Sequence, residues 1–533
     1  MFLLIIAAVF ALFLYFLYFK PLWHWKSKDV PFTNPVPVFG NMGKAIFRKE
    51  HMMTIVKNIY DKFPDSPCVG FINFQQPILI IRDPELIRKI AIKDFDVFPG
   101  HNAIASDDVD PLLSKNLFSI QDTQRWRHLR STLSPSFTAN KLRLMFDLMQ
   151  ECAKNFANYY LQQNDEVIEV DMKDACGRFA TDVIATSAFG IKNDSLQNRN
   201  NEFYLMGKDF IDFTGLRAIK LFLFGSAPKL MKILRIGIFN KEVTDFFQNI
   251  VSGNIKMREE QNIVRPDMIN LLLEARKGKS KNENTDPADA EAEAFESEEE
   301  SERTQKDATW QMEITDQDIT AQALIFFLGG FETTSTIMSF AFAELAVNPN
   351  VQKKLNEEIN GVFERTGGKV KYEDIQQMKY MDMVTSETLR KWSGLTDRKA
   401  VKSYTIYQGN GKQPLKVEKD DMIWIPMYAI HRDSKYYPDP EIFDPERFSD
   451  ERKHEIKPFT YLPFGTGPRN CIGMRFALLE VKIALFNILL HFEVVPTGKV
   501  KIPLQLDKAQ FSPYLDGGFI FGLKKKKAKD KKL

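Results

Sequence analysis

The chain opens on an unbroken apolar run, Met1 to Phe19. At a rise of about 1.5 Å per residue, such a run nearly spans a hydrocarbon core. Lys20, Trp23, Trp25, Lys26 and Lys28 follow it. Aromatic and basic residues on one flank mark a membrane interface, with the positive side on the cytosol. A cleaved signal peptide would want a basic first segment, a shorter apolar core and a small-residue cleavage site. None is evident, so residues 1–19 read as a retained anchor. Pro31, Pro35 and Pro37 fix the backbone after it, and residues 20–40 read as a stiff, basic, proline-rich linker.

Beyond the linker the pattern changes repeatedly. Val69–Phe74 and Pro77–Arg82 are short apolar runs of strand type, joined by a Gln-Gln turn. Asp83 and Pro84 then make a helix start. Residues 100–120 have no clear period. Residues 140–275 alternate as amphipathic helices broken by Gly and Asn, with a Phe-rich part from Phe203 to Phe247 that includes Phe210, Phe213, Phe222 and Phe224. Thr315 and Asp318 are a helix-start pair. The helix they open runs on, apolar on nearly all sides, to Asn348-Pro349. A helix without a polar face crosses a core. Its middle carries Gly329-Gly330-Phe331-Glu332-Thr333-Thr334, where two glycines permit a local opening. Tyr404–Tyr407 and Leu415–Val417 read as a hairpin about Gly409-Asn-Gly, and Ile423–Pro426 as a further strand.

Composition narrows the picture. The chain has 533 residues, 44% of them hydrophobic, and a net charge of +2. A large core is possible, and nucleic acid is excluded as the main partner. The four cysteines, Cys68, Cys152, Cys176 and Cys471, are too widely spaced for a disulfide framework and suit a reducing compartment. Residues 277–306 contain EAEAFESEEESER and almost no large apolar side chains, so they read as a solvated, disordered acidic insert. Residues 524–533 are a basic tail.

The chemistry concentrates in Phe464-Gly-Thr-Gly-Pro-Arg-Asn-Cys471-Ile-Gly473. A helix starts just behind it, at Met474. A thiolate near a helix N-terminus is stabilised by the helix dipole and free N–H groups. Glycines beside the thiol let the main chain approach a flat ligand. The spacing of Phe464, Gly467, Arg469, Cys471 and Gly473 resembles the haem-thiolate loop of cytochromes P450. Trp126 and Arg130 match that family's Trp-x-x-x-Arg helix. Glu387 and Arg390 match its Glu-x-x-Arg, and Arg447 its Pro-Glu-Arg-Phe. Glu332 and Thr333 match its oxygen-groove motif. The overall run is similar to microsomal P450s of the insect detoxification type.

This resemblance implies a mainly α fold with a smaller β-rich lobe, a catalytic domain over 41–523 and an N-terminal transmembrane helix. It implies haem b, iron protoporphyrin IX, with Cys471 as axial ligand of the iron. Trp126, Arg130, Arg398 and Arg469 would hold propionates, and Phe464 and Gly473 would pack at the sulfur. Thr333 and Glu332 would manage protons. Glu387, Arg390 and Arg447 would form a buried ion network. Phe118, Ile120, Phe326 and Gly329 are candidates for the substrate pocket. His431 reads as a hydrogen-bonded structural residue. The implied reaction inserts one oxygen atom of O2 into an apolar small molecule, a xenobiotic or an endogenous lipophile. No flavin or nicotinamide motif is present, so electrons from NADPH would come through NADPH–cytochrome P450 reductase, with cytochrome b5 as an optional second donor. The implied location is the endoplasmic reticulum membrane, with the catalytic domain facing the cytosol.

One departure stands out. After Arg390 the connector Lys391–Asp397 lacks proline and is about two residues short, which leaves the register of Arg398 open. A haem-thiolate isomerase or dehydratase, and a haem-binding protein without activity, stay open as alternatives.

Overall fold

In the computed structural model, residues 15, 20–102, 107–212, 217, 220, 223, 228–265, 267–277, 314–407 and 413–527 are described. The expected anchor (apart from Tyr15), Phe213, Phe222, Phe224, most of the acidic insert, the Gly409 turn and the end of the basic tail lie outside them.

A four-stranded sheet is built from β1 (Cys68–Asn73), β2 (Gln76–Ile81), β7 (Met422–Ile425) and β4 (Thr396–Lys399), in the order β1-β2-β7-β4. Its β1–β2 turn falls at Phe74-Gln75, one residue before the expected Gln pair, because Asn73 pairs with Gln76 and Phe74 takes φ 56°. The hairpin β5 (Tyr404–Ile406) and β6 (Leu415–Val417) pairs as expected, Tyr404 opposite Val417. A third sheet, β3-β9-β8, joins Val167–Asp171 to Ile520–Lys525 and Phe492–Pro496. The helical reading of residues 140–275 missed β3. Its partners lie at the far end of the chain, so no local signal reports the pairing.

Helices supply the rest. Asp122 caps α1 (Thr123–Leu133) by accepting from the Gln124 and Arg125 amides. α2 spans Ala139–Leu161. α3 (Met172–Ala188) starts where β3 ends, capped by Asp171. The expected long helix is α4, Asp316–Val347, and its first turn is closed by a full capping box between Thr315 and Asp318. It is long and apolar enough to cross a membrane, yet it packs on α3, on α5 (Lys379–Lys391), on α6 (Met474–His491) and on β8. Its burial on most sides explains its lack of a polar face. At Gly329–Thr333 the helix widens into one π-helical turn, where the paired glycines predicted an opening.

Buried side chains form two clusters. The larger surrounds α4 and takes in α2, α3 and α6. The smaller lies on β1, β2 and β7 and includes Trp25 and Trp424. The helical body and the β-rich lobe therefore each have a core.

Candidate functional site

The Cys471 loop is shaped by its glycines. The Cys471 amide donates to the Phe464 carbonyl at 2.9 Å, closing the turn. Gly467 has φ +73°, and a Cβ there would lie 2.1 Å from the Ala91 carbonyl oxygen. Only glycine lets this loop dock on the π turn Lys89–Lys93. At Gly473 a Cβ would meet only ordinary contact, 3.8 Å from Phe137. Packing within the protein therefore does not explain that glycine.

Cys471 has accessible surface, yet burial pushes its thiol above the ordinary value, against the Gly473 amide and Arg130. Cys471 is therefore set among packed residues while its side chain keeps accessible surface. In the protein alone, burial outweighs the helix-start effect expected from sequence. Across the interior, α4 shows the same mark. Gly329 and Thr333 are exposed in the middle of an otherwise buried helix. A Cβ at Gly329 would meet nothing within 4 Å. Phe326, one turn earlier, is half-buried, and its ring lies 5.3 Å from that of Phe137. Phe137 thus touches both the α4 side and the Gly473 side. Nothing in Ser134-Pro-Ser-Phe137 marked it in the sequence.

Protons near α4 are already engaged. The Thr333 hydroxyl donates to the Gly329 carbonyl, and that of Thr334 to Gly330. Both serve the freed carbonyls of the π turn. Glu332 turns to the neighbouring helix, where the Lys173 ammonium donates to its Oε2 at 2.9 Å. It makes no bond to Thr333 here, so the expected acid–alcohol pair is adjacent in sequence and not joined.

One edge of the site is cationic. Arg398 is wholly buried on β4, where it pairs with Ile423 of β7. Its Nη atoms donate to the Asp397 and Thr466 carbonyls at 2.7 and 3.2 Å, and its Nε has no partner. Burial brings its pKa down to about 10. Arg469 stacks on Trp126, 4.2 Å from the ring, and donates to the carbonyls of Pro99, Leu117, Phe118 and Ile120. Burial, then Arg398 and Arg130, bring it down to about 9. Arg130 holds the Asn470 carbonyl at 3.0 Å. The Arg398 and Arg469 guanidiniums, both desolvated and close enough to depress the Arg469 pKa, call for an anion. The nearby Asp397 carboxylate is taken by His101 at 2.8 Å and by the Asn102 amide. His101, which the sequence reading passed over, also stacks on Phe118 at 4.2 Å. Ile120 is buried in the main core. The two candidates at 118 and 120 thus offer Arg469 their carbonyls, while their side chains pack elsewhere.

Behind this edge, Glu387 and Arg390 form a two-pronged pair at 2.6 and 2.8 Å, both fully buried, and Arg447 approaches Glu387 at 3.6 Å. Burial pushes the Glu387 carboxyl up against the pull of both arginines. His431 accepts from the Leu462 amide at 2.8 Å and meets Ser393 and the Arg390 carbonyl through Nδ1. It bolts α5, the connector and the approach to the Cys471 loop together, as the structural reading expected. The connector itself is fastened to α4, since Lys391 and the Trp392 indole both meet Glu344, at 2.8 and 2.9 Å.

These residues fit a flat, anionic, iron-bearing group. A thiol with accessible surface stands beside a glycine that packing does not require. Gly329 and Thr333 on α4 are exposed, and the desolvated Arg398 and Arg469 guanidiniums stand near the Cys471 loop. Comparison with known proteins agrees. The cytochrome P450 family model matches residues 30–514. The chain is 41% identical to cytochrome P450 9e2 of Blattella germanica over 94% of its length and 93% of the relative's. It is 42% identical to probable cytochrome P450 9f2 of Drosophila melanogaster over 93% of each. Cytochrome P450 6k1 of Blattella germanica is 38% identical over 94% and 93%. The chain belongs to the cytochrome P450 family and is a P450 monooxygenase.

Proposed function

We propose that the protein is a membrane-anchored haem-thiolate monooxygenase acting on apolar small molecules, xenobiotic or endogenous. The observations that carry this are the accessible surface of Cys471 and the exposed Gly329 and Thr333 on α4, which would bound one hollow with Arg398 and Arg469 at its rim. Cys471 would ligate haem iron. Arg398, Arg469, Arg130 and Trp126 would hold its propionates, with His101 keeping Asp397 from competing for the guanidiniums. Phe464 and Gly473 would lie against the group on the thiol side. Haem, when bound, supplies oxygen activation.

The chain's own residues do the rest. Thr333 presents a hydroxyl to the hollow while its proton rests on the Gly329 carbonyl. Its free lone pairs can order water at that surface. Glu332, linked to the exterior through half-buried Lys173, would bring protons to that water. Phe326 and Phe137 give the hollow an apolar wall, which suits a lipophilic substrate and excludes bulk water. The Glu387–Arg390–Arg447 network would hold the loop's surroundings in place. The anchor, residues 1–19, would fix the body to the endoplasmic reticulum membrane, facing the cytosol. There NADPH–cytochrome P450 reductase, with cytochrome b5 as an optional second donor, would supply electrons.

The reduced protein under carbon monoxide is expected to give a thiolate-type spectrum that Cys471→Ala abolishes together with NADPH-dependent turnover. Thr333→Ala is expected to keep the spectrum and to divert NADPH electrons into hydrogen peroxide. Unchanged coupling in that variant would sink the role given to the hydroxyl, and product formation without NADPH would favour an isomerase instead.

A further inference from the structure

Residues 115–120 have no period of their own, and amide side chains give them their shape. Gln322, wholly buried two turns into α4, accepts from the Leu117 amide at 2.8 Å and donates to the Lys115 carbonyl at 2.9 Å. Asn116, also buried, accepts through Oδ1 from the Phe118 and Ser119 amides at 3.1 and 3.0 Å. Its own carbonyl takes the Ile120 amide at 3.1 Å. Its Nδ2 donates to the Leu112 and Leu113 carbonyls of the short helix Pro111–Ser114. The amides of 117–120 are thus all engaged by these two side chains and by Asn116 itself. The carbonyls of Leu117, Phe118 and Ile120 accept instead from the Arg469 guanidinium, at 3.1, 3.3 and 3.1 Å. The Ser119 carbonyl accepts from Gln121.

We infer that Gln322 is a positioning residue for Arg469: by clamping residues 115–117 to α4 it aims the carbonyls that hold the guanidinium at the haem edge. The inference rests on the assignment of Arg469 to a propionate made above. The desolvated charge of Arg469 is held by carbonyl dipoles, those of 117, 118 and 120 together with Pro99. A dipole holds a cation only while it points at it, since a hydrogen bond weakens steeply as its angle closes. A guanidinium has five N–H donors. The four carbonyls engage Nε, Nη1 and Nη2 and leave an Nη2 hydrogen for an anion. Where that hydrogen points depends on where the segment lies. Gln322 sets this from a packed helix. Its amide meets the carbonyl of one residue and the N–H of the residue two further on, the pair a neighbouring strand would meet. Lys115 adds a second tie, donating to Gln317 Oε1 at 2.6 Å. Leucine at 322 would keep the bulk and leave the Leu117 amide and Lys115 carbonyl without these partners. Glutamate would keep the acceptor and lose the donor.

The test uses full-length holoenzyme and three readouts: hydrogen exchange of the 117–120 amides, the rate of haem transfer to excess apomyoglobin, and the haem reduction potential. Gln322→Leu is expected to speed that exchange roughly tenfold, as the loss of a pair of buried hydrogen bonds allows. It is expected to speed haem transfer severalfold and to lower the potential, because a displaced guanidinium no longer favours the reduced haem. Gln322→Glu is expected to fall between Gln322→Leu and wild type. Leu324→Ala is the control for general loss of stability. Leu324 is buried in the same core but lies two positions on, on another face of α4. It is expected to leave the exchange of 117–120 and the potential at wild-type values. Combined with Arg469→Lys, Gln322→Leu should speed haem transfer by less than the product of the single effects, since both act through one group. Unchanged exchange in Gln322→Leu, equal effects in Leu324→Ala, or multiplying effects in the double variant would overturn the inference. If Arg469→Lys alone leaves haem transfer and potential unchanged, the propionate assignment of Arg469 is what failed. If Arg469→Lys speeds haem transfer and Gln322→Leu does not, only the role of Gln322 falls.

Discussion

Gly329 and Gly330 are adjacent and have unrelated reasons to be glycine. A Cβ at Gly330 would lie 2.7 Å from Ile184 Cδ1, so Gly330 lets α3 and α4 close together. A Cβ at Gly329 would project into open space. Gly330→Ala is expected to cost about 1–3 kcal/mol through overpacking, read as a lower melting temperature. Gly329→Ala is expected to keep or raise that temperature, by up to about 1 kcal/mol of helix propensity, while lowering haem content per protein in the absorbance spectrum. Equal loss of stability in both would contradict the hollow. His431 shows another single-residue effect. Burial brings its pKa down to about 3, so the folded state holds it neutral. A depressed value means its contribution is complete above the unfolded histidine value of about 6.5 and is lost as pH falls toward about 3, at up to about 1.4 kcal/mol per unit. Urea titrations between pH 7 and 4 should show a shallower acid loss in His431→Gln than in wild type. Parallel curves would remove His431 from the acid response.

Among elements, α5 illustrates how a weak motif gains meaning. Glu-x-x-Arg is common on surface helices, and spacing alone says only that the two charges share a face. Packing of α5 on α4 and on the 3-10 turn Pro445–Phe448 buries the pair completely and adds Arg447 and the Asp444 amide, at 2.9 Å from Glu387. Glu387→Gln leaves two buried guanidiniums without a carboxylate. The expected cost is about 3–5 kcal/mol, measured by denaturant unfolding. A loss below about 1 kcal/mol would show that backbone carbonyls alone neutralise Arg390. The short connector after α5 is held by its own device, Lys391 and Trp392 on Glu344, with Trp392 stacked on Phe340 at 4.0 Å. These contacts let a connector without proline deliver Arg398 to the middle of β4.

For the molecule as a whole, the helical body and the β-rich lobe each bury a core, and the active hollow draws residues from both. Membrane attachment is a separate property, which we propose for residues 1–19. Full-length protein should stay in the membrane pellet after an alkaline carbonate wash, and a chain beginning at Lys20 should be released in larger part. Equal retention would move the attachment to the folded body. Much of this architecture was readable along the chain. The capping box at Thr315, the paired glycines, the Trp-x-x-x-Arg helix and the thiol loop are local arrangements, and local spacing sets helix starts, faces and tight turns. Other features were not readable there. Strand β3 finds its partner some 350 positions away, through Val167 opposite Lys524. The arginines at 130, 398 and 469 come from three separate segments, and Glu332 turns away from Thr333 because a lysine on another helix draws it. Periodicity carries information over a few turns, whereas burial and charge balance depend on which distant segments meet, and chain order leaves those meetings unspecified.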